Sequence, residues 1–277
     1  MELPTNLDLQ QLPRSVRAEL RSLTPEKAET VGGHLLMAGR LVDDDPQLAL
    51  QHATAAKELA SRLPIVREAV GESAYAAGEF AVALSEFRAV RRMTGADEYL
   101  PAMADCERAL GRTQSALKLV REGLATSPDA SLEIELRLVE AGIRSDRGQA
   151  DEAVRLLQAE IESIGTRGTK LARARLRYAY ADLLEALSRP SDAERWFEAA
   201  AKLDPDETTD AADRLARLRG VVIEFDDDDE AFDSVDDFED VAVVDDVDDE
   251  HGVTSAEDVE SVDDSDDDPK PEALTED

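Results

Sequence analysis

The sequence predicts an all-α fold: a solenoid of about five stacked helical hairpins, followed by a disordered acidic tail. Three observations carry this. Ala49, Ala83, Ala116, Ala153 and Ala193 recur at intervals of 34, 33, 37 and 40 residues, each early in an apolar helical pattern. A near-fixed period in that range marks repeats that bury their apolar faces only against one another. Gly78, Gly111 and Gly148 precede three of those alanines, where a first helix must stop and glycine takes a left-handed cap conformation at little cost. Beyond Gly220 the composition turns abruptly acidic, too rich in like charge to form a core.

The elements follow in chain order. Pro13 to Leu23 reads as a short amphipathic helix, with Val16, Leu20 and Leu23 on one face and Arg14, Arg17 and Arg21 on another. It is expected to cap the first end of the solenoid, within an N-terminal segment 1–25. Thr24-Pro25 supplies an N-cap with proline at the first helical position, so a helix is expected from about Glu26. Repeat one has Asp43-Asp44-Asp45-Pro46 in place of a glycine turn, which predicts a longer loop. Repeat two reads Val70-Gly71, Ala74-Tyr75, Gly78-Glu79-Phe80, Ala83 and Phe87. Repeat three has Gly111, Gly123 and Pro128; repeat four has Gly148-Gln149-Ala150. The longer intervals imply extra residues near Asp129-Ala130-Ser131 and Ile164 to Gly168, as loops or as lengthened helices. Ser191 and Glu194 have capping-box spacing for the last second helix. Ala193, Phe197, Ala200 and Pro205 complete repeat five. The solenoid is expected over 26–206, and a closing helix over 207–220, where Ala211, Leu215 and Leu218 fall at helical spacing.

These motifs resemble the tetratricopeptide repeat (TPR), most closely over 65–95 and 175–205. The resemblance implies a right-handed superhelix whose first helices line a concave groove. Carried over position by position, it implies groove residues Glu68, Glu72 and Tyr75 in repeat two, and Glu98, Asp105 and Arg108 in repeat three. Leu138 and Asp146 follow in repeat four, then Arg175, Tyr178, Asp182 and Glu185 in repeat five. Such a groove is acidic with aromatic and apolar footholds, which suits a basic or neutral peptide. Family members that grip a terminal carboxylate use Lys and Asn at fixed positions. This chain has His34, Ala38, Glu68 and Glu72 there, which excludes that subclass.

Composition bounds the chemistry. The formal net charge is −33, and residues 224–277 hold 27 acidic residues against a single basic one, Lys270. Cys106 is the only cysteine, so no internal disulfide is possible. Its acidic helical setting would raise the thiol pKa rather than activate it. His34 and His52 lack a third ligand for zinc, and His34 reads as a surface or groove residue. No phosphate loop, GxSxG or HExxH motif occurs, and the acidic runs lack EF-hand spacing. Catalysis, cofactor and metal are not expected. Met1 to Gln11 holds no apolar run of signal-sequence length, and no 18-residue apolar stretch occurs. No membrane or direct nucleic-acid contact is expected, and the location expected is cytoplasmic. Alanine richness and arginine in excess of lysine suggest a bacterial source.

Two functional classes follow. In the first, the protein is a non-catalytic scaffold or adaptor whose groove holds a partner segment. In the second, the tail acts as an acidic chaperone or nucleic-acid mimic that binds a basic partner, with the repeats as its mount. Short apolar motifs set in acid, such as Val221 to Phe225 and Val241 to Val244, suit partner-induced folding. The run Arg167, Lys170, Arg173, Arg175 and Arg177 offers a basic cluster onto which the tail could fold back as an autoinhibitor, and Arg88, Arg91 and Arg92 offer a smaller one.

Overall fold

The computed structural model describes residues 3–220. Residues 1–2 and the segment 221–277, with its apolar motifs, lie outside the described residues. Among the described residues twelve α-helices occur and no strand. A 3-10 turn, Leu9–Gln11, and a short helix α1, Arg14–Leu20, come first. Five hairpins follow: α2 (Pro25–Leu41) with α3 (Pro46–Ala60), and α4 (Pro64–Ala76) with α5 (Phe80–Thr94). Then come α6 (Leu100–Ala109) with α7 (Thr113–Ala125), α8 (Ala130–Asp146) with α9 (Ala150–Ile164), and α10 (Lys170–Ala186) with α11 (Pro190–Leu203). Helix α12, Ala211–Leu218, packs on α11. Contacts run between consecutive helices and between first helices of adjacent repeats (α2 with α4, α6 with α8, α8 with α10), the signature of a solenoid.

The alanine period now has a physical reason. Ala49, Ala83, Ala116, Ala153 and Ala193 are each the fourth residue of a second helix, and each is 0% exposed. At that point the second helix crosses its partner, and only a small side chain lets the backbones approach. One turn later stand Ala53, Phe87, Val120, Leu157 and Phe197, all buried. Phe87 shows how tight the crossing is: a Cβ on Gly71 of α4 would fall 2.6 Å from its ring.

Turns between hairpin helices follow the sequence, including the longer glycine-free loop of repeat one, except at Ser188 and Ser191. Gly78, Gly111 and Gly148 take φ of +75°, +72° and +74°. In repeat five Ser188 occupies the same place at φ +60°, a conformation that costs a non-glycine residue about 1–2 kcal/mol. The first hairpin turns without a left-handed residue, and Asp45 caps α3 by accepting from Leu48 N–H at 3.0 Å. Ser191 is not an N-cap. Helix α11 starts at Pro190, with Arg189 at the N-cap and no side-chain cap bond, because a proline at the first helical position fixes the start one residue earlier. Thr24 stands at the N-cap of α2, likewise without a side-chain bond. The spare residues of repeats four and five lengthen first helices: α8 and α10 have 17 residues each, against 13 in α4 and 10 in α6.

His34 also corrects the sequence reading. It is 4% exposed and packs against His52, with the two Nδ1 atoms 3.0 Å apart. One Nδ1 must donate and the other accept, so at least one ring is neutral. Burial, and for His34 the neighbouring His52, push both below the ordinary histidine pKa. Cys106 is fully buried, and burial followed by Asp105 and Glu107 pushes its thiol up to about 12.

Candidate functional site

First helices α4, α6, α8 and α10 lie side by side, and an open cleft of about 740 Å³ runs along them. Six of the residues implied by the sequence line it: Tyr75, Glu98, Asp105, Leu138, Arg175 and Tyr178. Pro101, Ala102, Leu132, Val139 and Ala179 give the floor an apolar surface. Glu135 and residues 208–210 complete the walls. Four carboxylates, Glu98, Asp105, Glu135 and Asp210, face one guanidinium, Arg175.

Polar bonds tie successive first helices together along this face. The Tyr75 hydroxyl donates to Asp105. Arg108 donates from Nε to Asp105 at 2.7 Å and from Nη1 to Asp146 at 3.0 Å. Arg175 donates to Glu135 at 3.0 Å. Each inter-helix link joins residues about one repeat apart in sequence, so the bonds set the pitch as well as the charge of the face. Burial, then the Asp105 bond and its charge, raise the Tyr75 pKa far above an ordinary phenol. Tyr75 therefore enters any interaction as a neutral donor or an aromatic surface.

The remaining implied residues are divided. Asp182 and Glu185 accept from Arg214 Nη2 of α12 at 2.9 and 2.7 Å, so they fasten the C-terminal end of the stack. Glu68 and Glu72 sit outside the cleft toward α1. The Glu68 carboxyl is raised to about 7 by burial and by Glu19, Glu98 and Glu72. Glu72 accepts from the Tyr99 hydroxyl at 3.3 Å. Burial raises it too, although its carboxylate stays open to solvent: it stands on a concave face, hemmed by protein yet wet.

The basic run does not form one surface. Arg173 and Arg177 are buried, at 5% and 2% exposed. Arg175 lies in the cleft, Lys170 is exposed at the start of α10, and Arg167 is exposed and donates to the Ser163 carbonyl at 3.0 Å. In the smaller cluster, Arg88 pairs with buried Glu107, and Arg91 with Asp97 and Glu122.

Sequence reasoning missed Glu135, the floor residues Pro101, Ala102, Leu132, Val139 and Ala179, and the connector 208–210. Glu135 had a signal: the last interval, 40 residues, counted back from Arg175 lands on it, as it lands on Leu138 from Tyr178. The connector had none, because it lies outside the repeat.

Among solved structures, the chain is similar to a thermophilic TPR protein of Thermus thermophilus, with a TM-score of 0.52 and 16% sequence identity. The match covers 69% of this chain and 98% of that one. The fold is a TPR-like solenoid. No family model matches the sequence, and no curated protein does. Among the described residues no helix is long and apolar enough to cross a membrane.

Proposed function

We infer that this protein is a non-catalytic scaffold that holds a segment of a partner protein in the cleft along α4, α6, α8 and α10. One observation carries the reading: residues from four successive repeats converge on a single open cleft of about 740 Å³ with an apolar floor. That shape suits an extended chain better than a compact ligand. Excess carboxylate on the walls favours a basic or neutral segment. Tyr75, Leu138 and Tyr178 offer footholds for its apolar side chains, and the Arg175–Glu135 pair can reorganise to meet a backbone or side-chain polar group.

The experiment is capture of the partner by full-length protein and by an Ala179→Arg variant, whose long side chain fills the floor. Both are compared with protein ending at Gly220 and washed at low and high salt. Capture that survives high salt and the loss of 221–277, but not Ala179→Arg, supports the cleft. Capture lost with 221–277, or stripped by salt, transfers the role to the acidic segment.

A further inference from the structure

Cations gather on one stretch of the outer layer. Second helices α5 and α7 carry Arg88, Arg91, Arg92, Lys118 and Arg121 against two carboxylates, Glu86 and Glu122. The other second helices balance their charges, as α3 does, or carry more acid than base, as α9 and α11 do. Both carboxylates of α5 and α7 are already engaged. Glu86 is buried and paired with Lys57 and Arg67, and Glu122 is paired with Arg91. Arg92, Lys118 and Arg121 are exposed and form no ion pair among the described residues.

The patch is continuous across repeats. The Lys57–Glu86 and Arg91–Glu122 bridges, at 2.5 and 2.7 Å, join α3, α5 and α7 side by side. Arg88 and Arg121 are separated by the same interval as Ala83 and Ala116, so they hold one place in successive repeats. Apolar side chains share this surface. Val82 and Met93, roughly three turns apart on one side of α5, are 39% and 42% exposed.

The segment 221–277 has the complementary pattern. Phe238, Val241, Val243 and Val244 are set among Asp236-Asp237, Glu239-Asp240 and Asp245-Asp246. The tether allows the match. The segment leaves from Gly220, just past α12, which packs on α11. From α11, α7 is two hairpins away and α5 three, about 20–30 Å at about 10 Å per layer. Phe225 extends about 17 Å from Gly220 and falls short, whereas Phe238 extends about 60 Å.

We propose that residues 236–246 dock on the outer face of α5 and α7 of the same chain. Phe238 and the valines cover Val82 and Met93, and the carboxylates meet Arg92, Lys118 and Arg121. Single surface ion pairs contribute little, so the contact needs several of them together with the apolar burial. The tether supplies the rest, holding the segment at an effective concentration of about millimolar. A second copy, or a separate acidic protein, has to outcompete it. The cleft lies on the first helices and stays open. A basic partner that seeks 221–277 must first displace this contact. Because the contact joins residues of one chain, it brings no second protein to α7.

The test uses full-length protein carrying Ser234→Cys with a nitroxide, since Cys106 is fully buried and escapes the label. Paramagnetic broadening of backbone amides is then read by NMR. At low salt it is expected above all in residues 82–93 and 118–125, and it should fall about two-fold or more in about 1 M NaCl. It should fall as far with Arg92→Glu and Arg121→Glu together, both at exposed positions. Phe238→Ser and Val243→Ser together, which leave the solenoid untouched, should have the same effect. Broadening that is absent from α5 and α7, spread evenly over the second helices, or indifferent to salt or to either pair of substitutions would overturn the proposal. So would broadening of an isotope-labelled chain without nitroxide when mixed with the nitroxide-bearing chain, which would assign the contact to a second copy. Ala179→Arg, which fills the cleft, should change none of these results, so this proposal and the cleft reading fail separately.

Discussion

The two ends of the solenoid are closed by different physics. At the first end, leucines of residues 3–20 lie on a glycine pair, Gly32 and Gly33, and the largely apolar contact is tied at its edges by two hydrogen bonds, from Arg40 to Gln11 and from the Ile65 N–H to Glu19. At the last end, Arg214 of α12 donates to Asp182, Glu185 and the Tyr178 hydroxyl, and sits 4.9 Å from the Phe197 ring centroid. Arg219 adds bonds to Glu194 and Glu198. One closure is built chiefly from apolar shape, whereas the other adds a set of ion pairs to the packing of Ala211, Leu215 and Leu218. A solenoid end has to be covered, and the cover can be held by shape alone or fastened with ion pairs as well.

The largest effect should come from the apolar end. Leu20→Ala removes a buried side chain from the segment and is expected to cost about 3 kcal/mol, read as increased hydrogen exchange confined to residues 3–20 and α2. Arg214→Ala should cost about 1–2 kcal/mol, since its partners are partly solvated, and should raise exchange in 208–218 only. Salt sharpens the contrast: about 1 M NaCl should loosen α12 by screening its ion pairs, while the largely apolar seat of residues 12–20 holds.

Titration separates the ends again. In the folded protein Glu68 keeps its proton up to about pH 7, whereas the unfolded chain releases it near 4.5. Its contribution to stability is therefore lost as pH rises through that window. Glu68→Gln should raise Tm at pH 8 and leave it unchanged near pH 4.5. The His34–His52 pair acts in the opposite sense. Its lowered pKa values mean that the unfolded chain takes up protons first, so stability falls as pH drops below 6.5. Replacing both by leucine should abolish that decline, as measured by Tm between pH 7 and 5. At the other end, Glu198 is held below the usual carboxylate range by bonds from Arg219 and Lys202. It should respond only below about pH 4.5. The smallest effect expected is at Ser188, where Ser188→Gly relieves a left-handed residue and should add about 0.5–1 kcal/mol by denaturant unfolding.

Much of the fold was legible because its tightest contacts repeat. The five alanines fall at one helix position and the glycines at one turn, so a period exposes both. Legibility stopped where a repeat departs from its neighbours. His34 was misread because repeat one has no glycine turn to fix its register. Ser191 was misread because Pro190 sets the helix start. In the cleft, residues equivalent across repeats could be picked from the sequence, but the connector 208–210 and the division of Arg173, Arg175 and Arg177 could not. Neighbours two apart on a helix point about 200° from one another, so a basic run in sequence need not be a basic patch in space. The Leu20 stripe was legible as an amphipathic helix, but its seat on Gly32 and Gly33 was not.

The most direct test of the central claim, that the cleft is the partner surface, is site-specific photocrosslinking in cells. A crosslinking side chain would be placed at Ala102 or Ala179 on the cleft floor, and, for comparison, at Arg121 or Arg155 on exposed positions of second helices α7 and α9. The account predicts one crosslinked protein from both floor positions, retained when residues 221–277 are removed and absent from both second-helix positions. Crosslinks that arise from α7 or α9, or that vanish with residues 221–277, would contradict it.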